Sequence, residues 1–284
     1  MLIPTFYMPQ MSAEIQSFSH SARKPAEVIN SWIQTNAPIE LREFEPVTTD
    51  MLKRVHDPEY VDGILSCRLK NGFGNRSVDV AESLPYTSGS MLAAAREALA
   101  NKRVAMAPCA GFHHAGYSDP FGYCTFNGLV VTAFTLADEK QVSHVGILDL
   151  DMHNGDGTEA LIQHHQAQDW IVHVSTCEEY TRPEQADEFL GNIEGWMSAF
   201  RDCDLLLYQA SADSHVDDPL GGYLTTEQIK LRDKMVFSIA KEMKMPIAWN
   251  LAGGYQIDET GSIGKVIEIH ANTLRICAEV YHDE

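Results

Sequence analysis

From about residue 88 onward, the apolar positions of the chain fall into two alternating rhythms. Apolar residues recurring every three or four positions predict helices over 88–100, 125–137, 158–165, 183–200, 227–243 and 263–280. Between them stand short, continuous apolar runs at 103–107, 145–150, 171–174, 205–208 and 247–251, of the length and character of strands buried on both faces. Helix and strand in alternation predict an α/β fold: a mainly parallel sheet with helices on both faces. No repeat, low-complexity tract or Pro/Ser-rich linker divides the chain, so a single domain over residues 1–284 is expected.

Parallel sheets bind ligands beyond the carboxyl ends of their strands, where loops converge. Four such loops carry the unusual residues: APCAGFHHAG, DLDMHNGDG, ASADSHVDDPLGG and AGGYQ. In the second, Asp149, Asp151 and His153 form D-x-D-x-H, whose alternate residues project to one side of an extended chain. The third adds Asp213, His215, Asp217 and Asp218 beside Pro219. Carboxylates drawn together from two loops repel unless a cation lies between them, which points to a divalent metal. One imidazole and two carboxylates leave coordination positions open for water and substrate, which favours catalytic zinc, although iron, cobalt and manganese accept the same donors. His113 and His114, between Gly111 and Gly116, have the chemistry of a general acid and base, and each needs a carboxylate on its other nitrogen; Asp149 and Asp156 are available. Tyr255, after two glycines, is a candidate donor to an oxyanion. The second pair, His164 and His165, lies in a polar helical stretch and is expected to face solvent.

Composition narrows the partners. Lys and Arg number 21 against 40 Asp and Glu, a net charge of −19, which argues against nucleic acid and anionic lipid and is compatible with cationic substrates. The N-terminal run has no signal-peptide pattern and no apolar run approaches a membrane span, so a cytoplasmic protein is expected. The six cysteines show no C-x-x-C spacing, so neither a disulfide framework nor a thiolate metal site is suggested.

Taken together in their order, GFHHAG with GYCTFNG, DLDMHNGDGTE, DSHVDDPLGGY and NLAGGY resemble the zinc-dependent class I/II histone deacetylase superfamily, most of all a bacterial-like class II member. The likeness runs from about Val55 to Tyr281 and takes in HDPEYVDGI and NGFGNRS. It implies the three-layer arginase/deacetylase fold and hydrolysis of an N-acyl amide, acetyl above all, on lysine or a related small amine. It further implies Asp151, His153 and Asp218 as zinc ligands, Tyr255 as the carbonyl-polarising donor, and His113 and His114 backed by Asp149 and Asp156. His114 is then the general base and acid. Gly122, Tyr123 and Leu220 become substrate contacts, and a potassium ion is implied near Asp149, Asp151, His153 and Ser175. Leu220 stands where relatives acting on acetylpolyamines resemble one another in carrying an acid, which favours acetyl-lysine-like substrates. The stretch 176–204 lacks the usual long Gly/Pro-rich rim, so the pocket is expected to be wide open or walled by a second copy in a homo-oligomer. The alternatives are an arginase-like dinuclear manganese hydrolase and an acyl-lysine binding module that keeps the fold without the chemistry.

Overall fold

The computed structural model describes residues 1–176 and 179–282. Its strands are β1 (Ile3–Phe6), β2 (Ile39–Arg42), β3 (Val104–Ala107), β4 (Val145–Asp149), β5 (Ile171–Ser175), β6 (Leu205–Ser211) and β7 (Ile247–Ala252). They form one sheet in the order β2-β1-β3-β7-β6-β4-β5, and every neighbouring pair is parallel. The helices are α1 (Lys24–Gln34), α2 (Thr49–Lys53), α3 (Pro58–Leu65), α4 (Val78–Asn101), α5 (Gly128–Asp138), α6 (Asp156–His164), α7 (Ala186–Ser198), α8 (Thr226–Glu242) and α9 (Gly264–Val280). Alternate strand residues serve the two faces. Leu206, Tyr208 and Trp249 enter a core with α1, α7, α8 and α9, whereas Leu205, Leu207 and Ala248 enter a second core with α3, α4, α5 and α6. The result is three layers.

Before residue 88 the strands are short, but α1, eleven residues long with Val28, Ile29 and Trp32 buried on one face, is a helix not among those predicted above. β1, IPTF, contains a proline, and β2, IELR, is an exposed edge strand with two charges among four residues. Helix α4 begins ten residues before the predicted start, running through Pro85 to its N-cap at Ser77, whose hydroxyl accepts from Val80 N. The packing of the 45–47 segment explains that continuation: a Cβ on Gly89 would meet Glu45 O at 2.8 Å, and Val47 N donates to the Pro85 carbonyl (3.1 Å). β6 runs three residues past its predicted end to Ser211, all seven residues buried. Of the second histidine pair, His164 is exposed, but His165 is half-buried and hydrogen-bonds the Val55 carbonyl (2.8 Å).

The front of the sheet is tied together by His56, which is fully buried. Its Nδ1 donates to Gly116 O (2.8 Å), and its Nε2 accepts from Asn127 N (2.9 Å). Asn127 in turn caps α5 through Val130 N (3.2 Å) and donates to Thr158 Oγ1 on α6 (2.9 Å). Burial lowers the His56 pKa from 6.5 to about 4, and a proton on Nε2 would confront the Asn127 N–H. Because the folded value lies below the unfolded one, the unfolded chain binds the proton first. The stability present above pH 6.5 is therefore lost as pH falls toward 4, to a total of about 3 kcal/mol for this group. Urea unfolding at a series of pH values is expected to show that slope, and His56→Gln to flatten it; an unchanged slope in the variant would assign acid sensitivity elsewhere.

Candidate metal and catalytic site

Four strands end side by side at Ala107, Asp149, Ser211 and Ala252, and the loops that follow converge. Among the described residues, Asp151, His153 and Asp213 each place a ligand atom within 4.8 Å of the others'. His153 Nδ1 lies 3.2 Å from both Asp151 Oδ1 and Asp213 Oδ2. Asp218, expected from the resemblance in this trio, is not in that group: its Oδ1 accepts from Leu220 N (3.0 Å) and its Oδ2 from Tyr255 N (2.8 Å). The reason is the extended β6. Asp213 follows the strand's last residue by two and so faces Asp151, while Asp218 closes the turn beyond it and fixes the backbone of Tyr255. Gly253, at φ +49°, lets the loop after β7 pass close to Asp213, since a Cβ there would lie 2.5 Å from Asp213 Oδ2.

The charges explain the protonation states. Hydrogen bonds from His153 Nδ1 to Asp151 and Asp213 raise its pKa to about 10. Burial and the Asp151 charge raise the pKa of Asp213, whereas Asp151, against the same penalty, is driven down by His113 and His153. Burial also raises Asp218, to about 7. Two carboxylates and an imidazole set face to face are the oxygen and nitrogen donors that a divalent cation of the zinc, iron or manganese type takes, so the residues fit such an ion.

The tandem histidines lie beside this group with opposite settings. His113 Nδ1 is 2.8 Å from Asp149 Oδ2, and His114 Nδ1 is 2.7 Å from Asp156 Oδ1. Burial opposes charge on His113, but Asp149 and Asp151 outweigh it and lift its pKa to about 9. His114 is lowered, first by burial and then by His113, whose ring centroid is 4.0 Å away. Asp156 opens α6, and Ser175 ends β5 beside Asp149, its hydroxyl accepting from Gly155 N (3.1 Å).

A cavity of about 20 Å³ leads to these groups, lined among others by His113, Gly122, Tyr123, Asp151 and Tyr255. Tyr123 is held at φ +64°, the strained setting typical of functional loops, and its N–H donates to Gly72 O (3.2 Å) in the NGFG turn. Burial raises the Tyr255 pKa, so its hydroxyl stays protonated. Leu220 stands outside the lining, 42% exposed. The 176–204 stretch, from which an open pocket or a wall supplied by a second copy was expected, includes residues 177–178, which lie outside the described residues. Ser19 and Ser21 contribute lining from the N-terminal segment, and Phe18 stacks on Tyr255 with centroids 6.0 Å apart and planes 18° from parallel.

Two contributors carried no recognisable signal in the sequence. Phe18 lies in an irregular segment. Lys24, at the start of α1, is fully enclosed and donates its Nζ proton to Gly253 O; burial lowers its pKa to about 8 against the pull of Asp213 and Asp151. Asp213 had a legible signal, its place in the acidic loop named above with His215, Asp217 and Asp218.

Comparison with known proteins agrees with this architecture. The family model described as "Histone deacetylase domain" matches residues 17–186. The chain is 27% identical over 267 residues to an uncharacterized protein of Picosynechococcus, covering 84% of this chain and 85% of that one. It is 28% identical over 178 residues to histone deacetylase 2 of Arabidopsis thaliana, covering 56% of this chain and 46% of the relative. Among solved structures it is similar to acetylpolyamine aminohydrolase from Burkholderia pseudomallei (TM-score 0.74, 16% identity, 98% and 99% of the two chains covered). The HDA15 HD domain has the same TM-score at 17% identity, with 99% and 94% covered. These two likenesses establish the fold, the three-layer arginase/deacetylase type.

Gly157 sets the distance between α6 and the histidine loop: a Cβ there would meet His114 O at 2.6 Å and Ala115 C at 2.7 Å, both backbone. Gly157→Ala is expected to displace His114 from Asp156 and reduce kcat on the order of 10²-fold, at a stability cost of about 1–3 kcal/mol. Steady-state rates beside thermal melting test this, and an undiminished kcat in the variant refutes the coupling.

Proposed function

Because this chain belongs to the histone deacetylase family, we propose that it hydrolyses an N-acyl amide, with acetyl as the acyl group and lysine or a related amine as the carrier. A divalent cation, zinc foremost, is assigned to Asp151, His153 and Asp213, with Asp213 in the place first given to Asp218. The observation that carries the reading is the juxtaposition of that donor group with two His–Asp pairs, one histidine raised in pKa and the other lowered.

When bound, such an ion polarises the amide carbonyl and makes a water acidic enough to ionise near neutral pH. The chain's own groups do the rest. His114, neutral at pH 7 and oriented by Asp156, takes the proton of the attacking water and returns one to the departing amine. His113, held protonated by Asp149, contributes positive charge beside the reacting carbonyl. Tyr255, anchored through its backbone N–H to Asp218, donates its hydroxyl proton to the developing oxyanion. Products are a carboxylate and a free amine. A potassium ion near Asp149, Asp151, His153 and Ser175, a cytoplasmic setting and a single functional domain over residues 1–284 remain part of the proposal.

Metal content and turnover separate the roles. Asp151→Ala, His153→Ala and Asp213→Ala are expected to lose the metal in chelator competition, whereas Asp218→Asn keeps it. Tyr255→Phe keeps the metal and loses about 10²–10³ in kcat. Retention of the metal by Asp213→Ala together with its loss from Asp218→Asn would restore the original ligand assignment.

Leu220, exposed and following Asp218-Pro219, offers an apolar surface rather than a charge for a distal ammonium, so acetyl-lysine peptides are expected to exceed acetylspermidine in kcat/KM. Leu220→Glu should shift that ratio toward the polyamine by about 1–2 kcal/mol. A wild-type protein that already prefers the polyamine tenfold would dismiss Leu220 as the selector.

A further inference from the structure

Behind the loop that carries Asp213 lies a charged network that the reaction described above leaves without a part. Arg232 and Asp233, consecutive on α8, are both fully buried. Arg232 Nε donates to Asp233 Oδ1 (2.8 Å). The carboxylate is closed on its other sides by Tyr208 of β6, whose hydroxyl donates to Oδ1 (2.6 Å), and by Thr273 of α9, whose hydroxyl donates to Oδ2 (2.5 Å). A buried ion pair recovers its desolvation cost only when its geometry is good and its remaining hydrogen-bonding capacity is filled, so a pair retained in a core that apolar residues could fill calls for a specific use.

That use is visible at the other end of the guanidinium. Arg232 Nη1 donates to Ser211 O and Ser214 Oγ, each at 2.9 Å. These two acceptors bracket Asp213 in the chain. Ser211 in turn presents its hydroxyl to Asp213 Oδ1 (2.5 Å) and Asp151 Oδ2 (2.8 Å), the two carboxylates that face each other across the donor group. Ser214 O accepts from Tyr223 N (2.9 Å) and Leu224 N (2.8 Å), so the far side of the loop is tied down as well. The planar fork of arginine is what allows one side chain to hold a carboxylate on one edge and a carbonyl and a hydroxyl on the other; lysine, with a single ammonium, has no such second edge.

We propose that Arg232 is a positioning residue for the metal-binding loop: anchored by Asp233, Tyr208 and Thr273, its guanidinium fixes the Ser211–Ser214 backbone so that Asp213 and Asp151 meet the cation at one separation. The inference rests on the assignment of Asp213 as a ligand. The ordering is done by the fold before the ion arrives, and removing it costs metal affinity and coordination geometry more than global stability. Outer groups that orient metal ligands are typically worth about 10- to 100-fold in affinity.

The test uses the full chain with two substitutions. Arg232→Lys keeps a cation for Asp233 and gives up the fork; Ser214→Ala leaves the ion pair whole and removes one loop anchor. Zinc affinity is measured by chelator competition, ligand geometry by the visible absorption of the cobalt(II)-loaded protein, and stability by melting of the metal-free chain. The expected result is a 10- to 100-fold loss of zinc affinity in Arg232→Lys and a several-fold loss in Ser214→Ala, with an altered cobalt spectrum in both and kcat falling more than KM rises. If Arg232→Lys fails to fold, Ser214→Ala alone decides. Wild-type affinity and spectrum in Ser214→Ala, and in Arg232→Lys where it folds, overturn the proposal. Asp213→Ala is the control: if that variant binds zinc as wild type does, the ligand assignment fails rather than the role of Arg232.

Discussion

Asp149, Asp151 and Asp213 are held at 0%, 2% and 0% exposure at the ends of two neighbouring strands, and the repulsion among them is the constraint that the rest of the site answers. At about 4 Å, even in an effective dielectric of 20, each like-charge contact costs roughly 4 kcal/mol. Relief comes from several directions. His113 rests on Asp149, His153 lies between Asp151 and Asp213, and the ammonium of Lys24 is enclosed nearby, its charge drawn by both of the latter carboxylates. A divalent cation at such a group would need little further ligand reorganisation, because folding has already assembled the donors.

The parallel sheet supplies the geometry. β4 lies beside β6 and β6 beside β7, in register, with Asp149 opposite Gln209 and Gln209 opposite Asn250. Gln209 Nε2 reaches Asp149 Oδ1 (3.3 Å), and Asn250 Nδ2 reaches Gln209 Oε1 (3.3 Å), so a row of amides crosses the strand ends beneath the charged groups. Since every strand ends on the same side, loops distant in sequence need only a few residues each to contribute one or two side chains. That economy is why four short segments contain nearly all the chemistry.

The same economy explains what was legible in the sequence. Continuous apolar runs and helical periodicity located every strand and helix after residue 88 to within a few positions, because each is buried on a predictable face. β1 and β2, four residues each, are too short for periodicity to show. The His113–Asp149 and His114–Asp156 pairs could be anticipated because both carboxylates sit in a loop adjacent to the histidines. The proposed exchange of Asp218 for Asp213 rests on which of two carboxylates in one acidic loop turns toward Asp151 and His153, and spacing along a loop does not fix that. Phe18, Lys24 and Arg232 were out of reach for a different reason. Each is a single residue on an element whose own pattern says nothing of the site, and only tertiary packing brings it there.

His113 and His114 show most directly how environment, rather than residue type, assigns chemistry. They are adjacent in the chain, their rings are 4.0 Å apart, and each holds a carboxylate through Nδ1. What differs is the partner's surroundings. Asp149 is fully buried with Asp151 close by, so its field and that of its neighbour act on His113 unscreened and keep it protonated to about pH 9. Asp156, on the first turn of α6, has its side chain 56% exposed, so water screens it and its hold on the proton of His114 is weaker. The charge on His113 then lowers His114 further. One histidine is thereby held as a cation and the other left neutral at pH 7, the division of labour that the proposed water attack and amine departure would use.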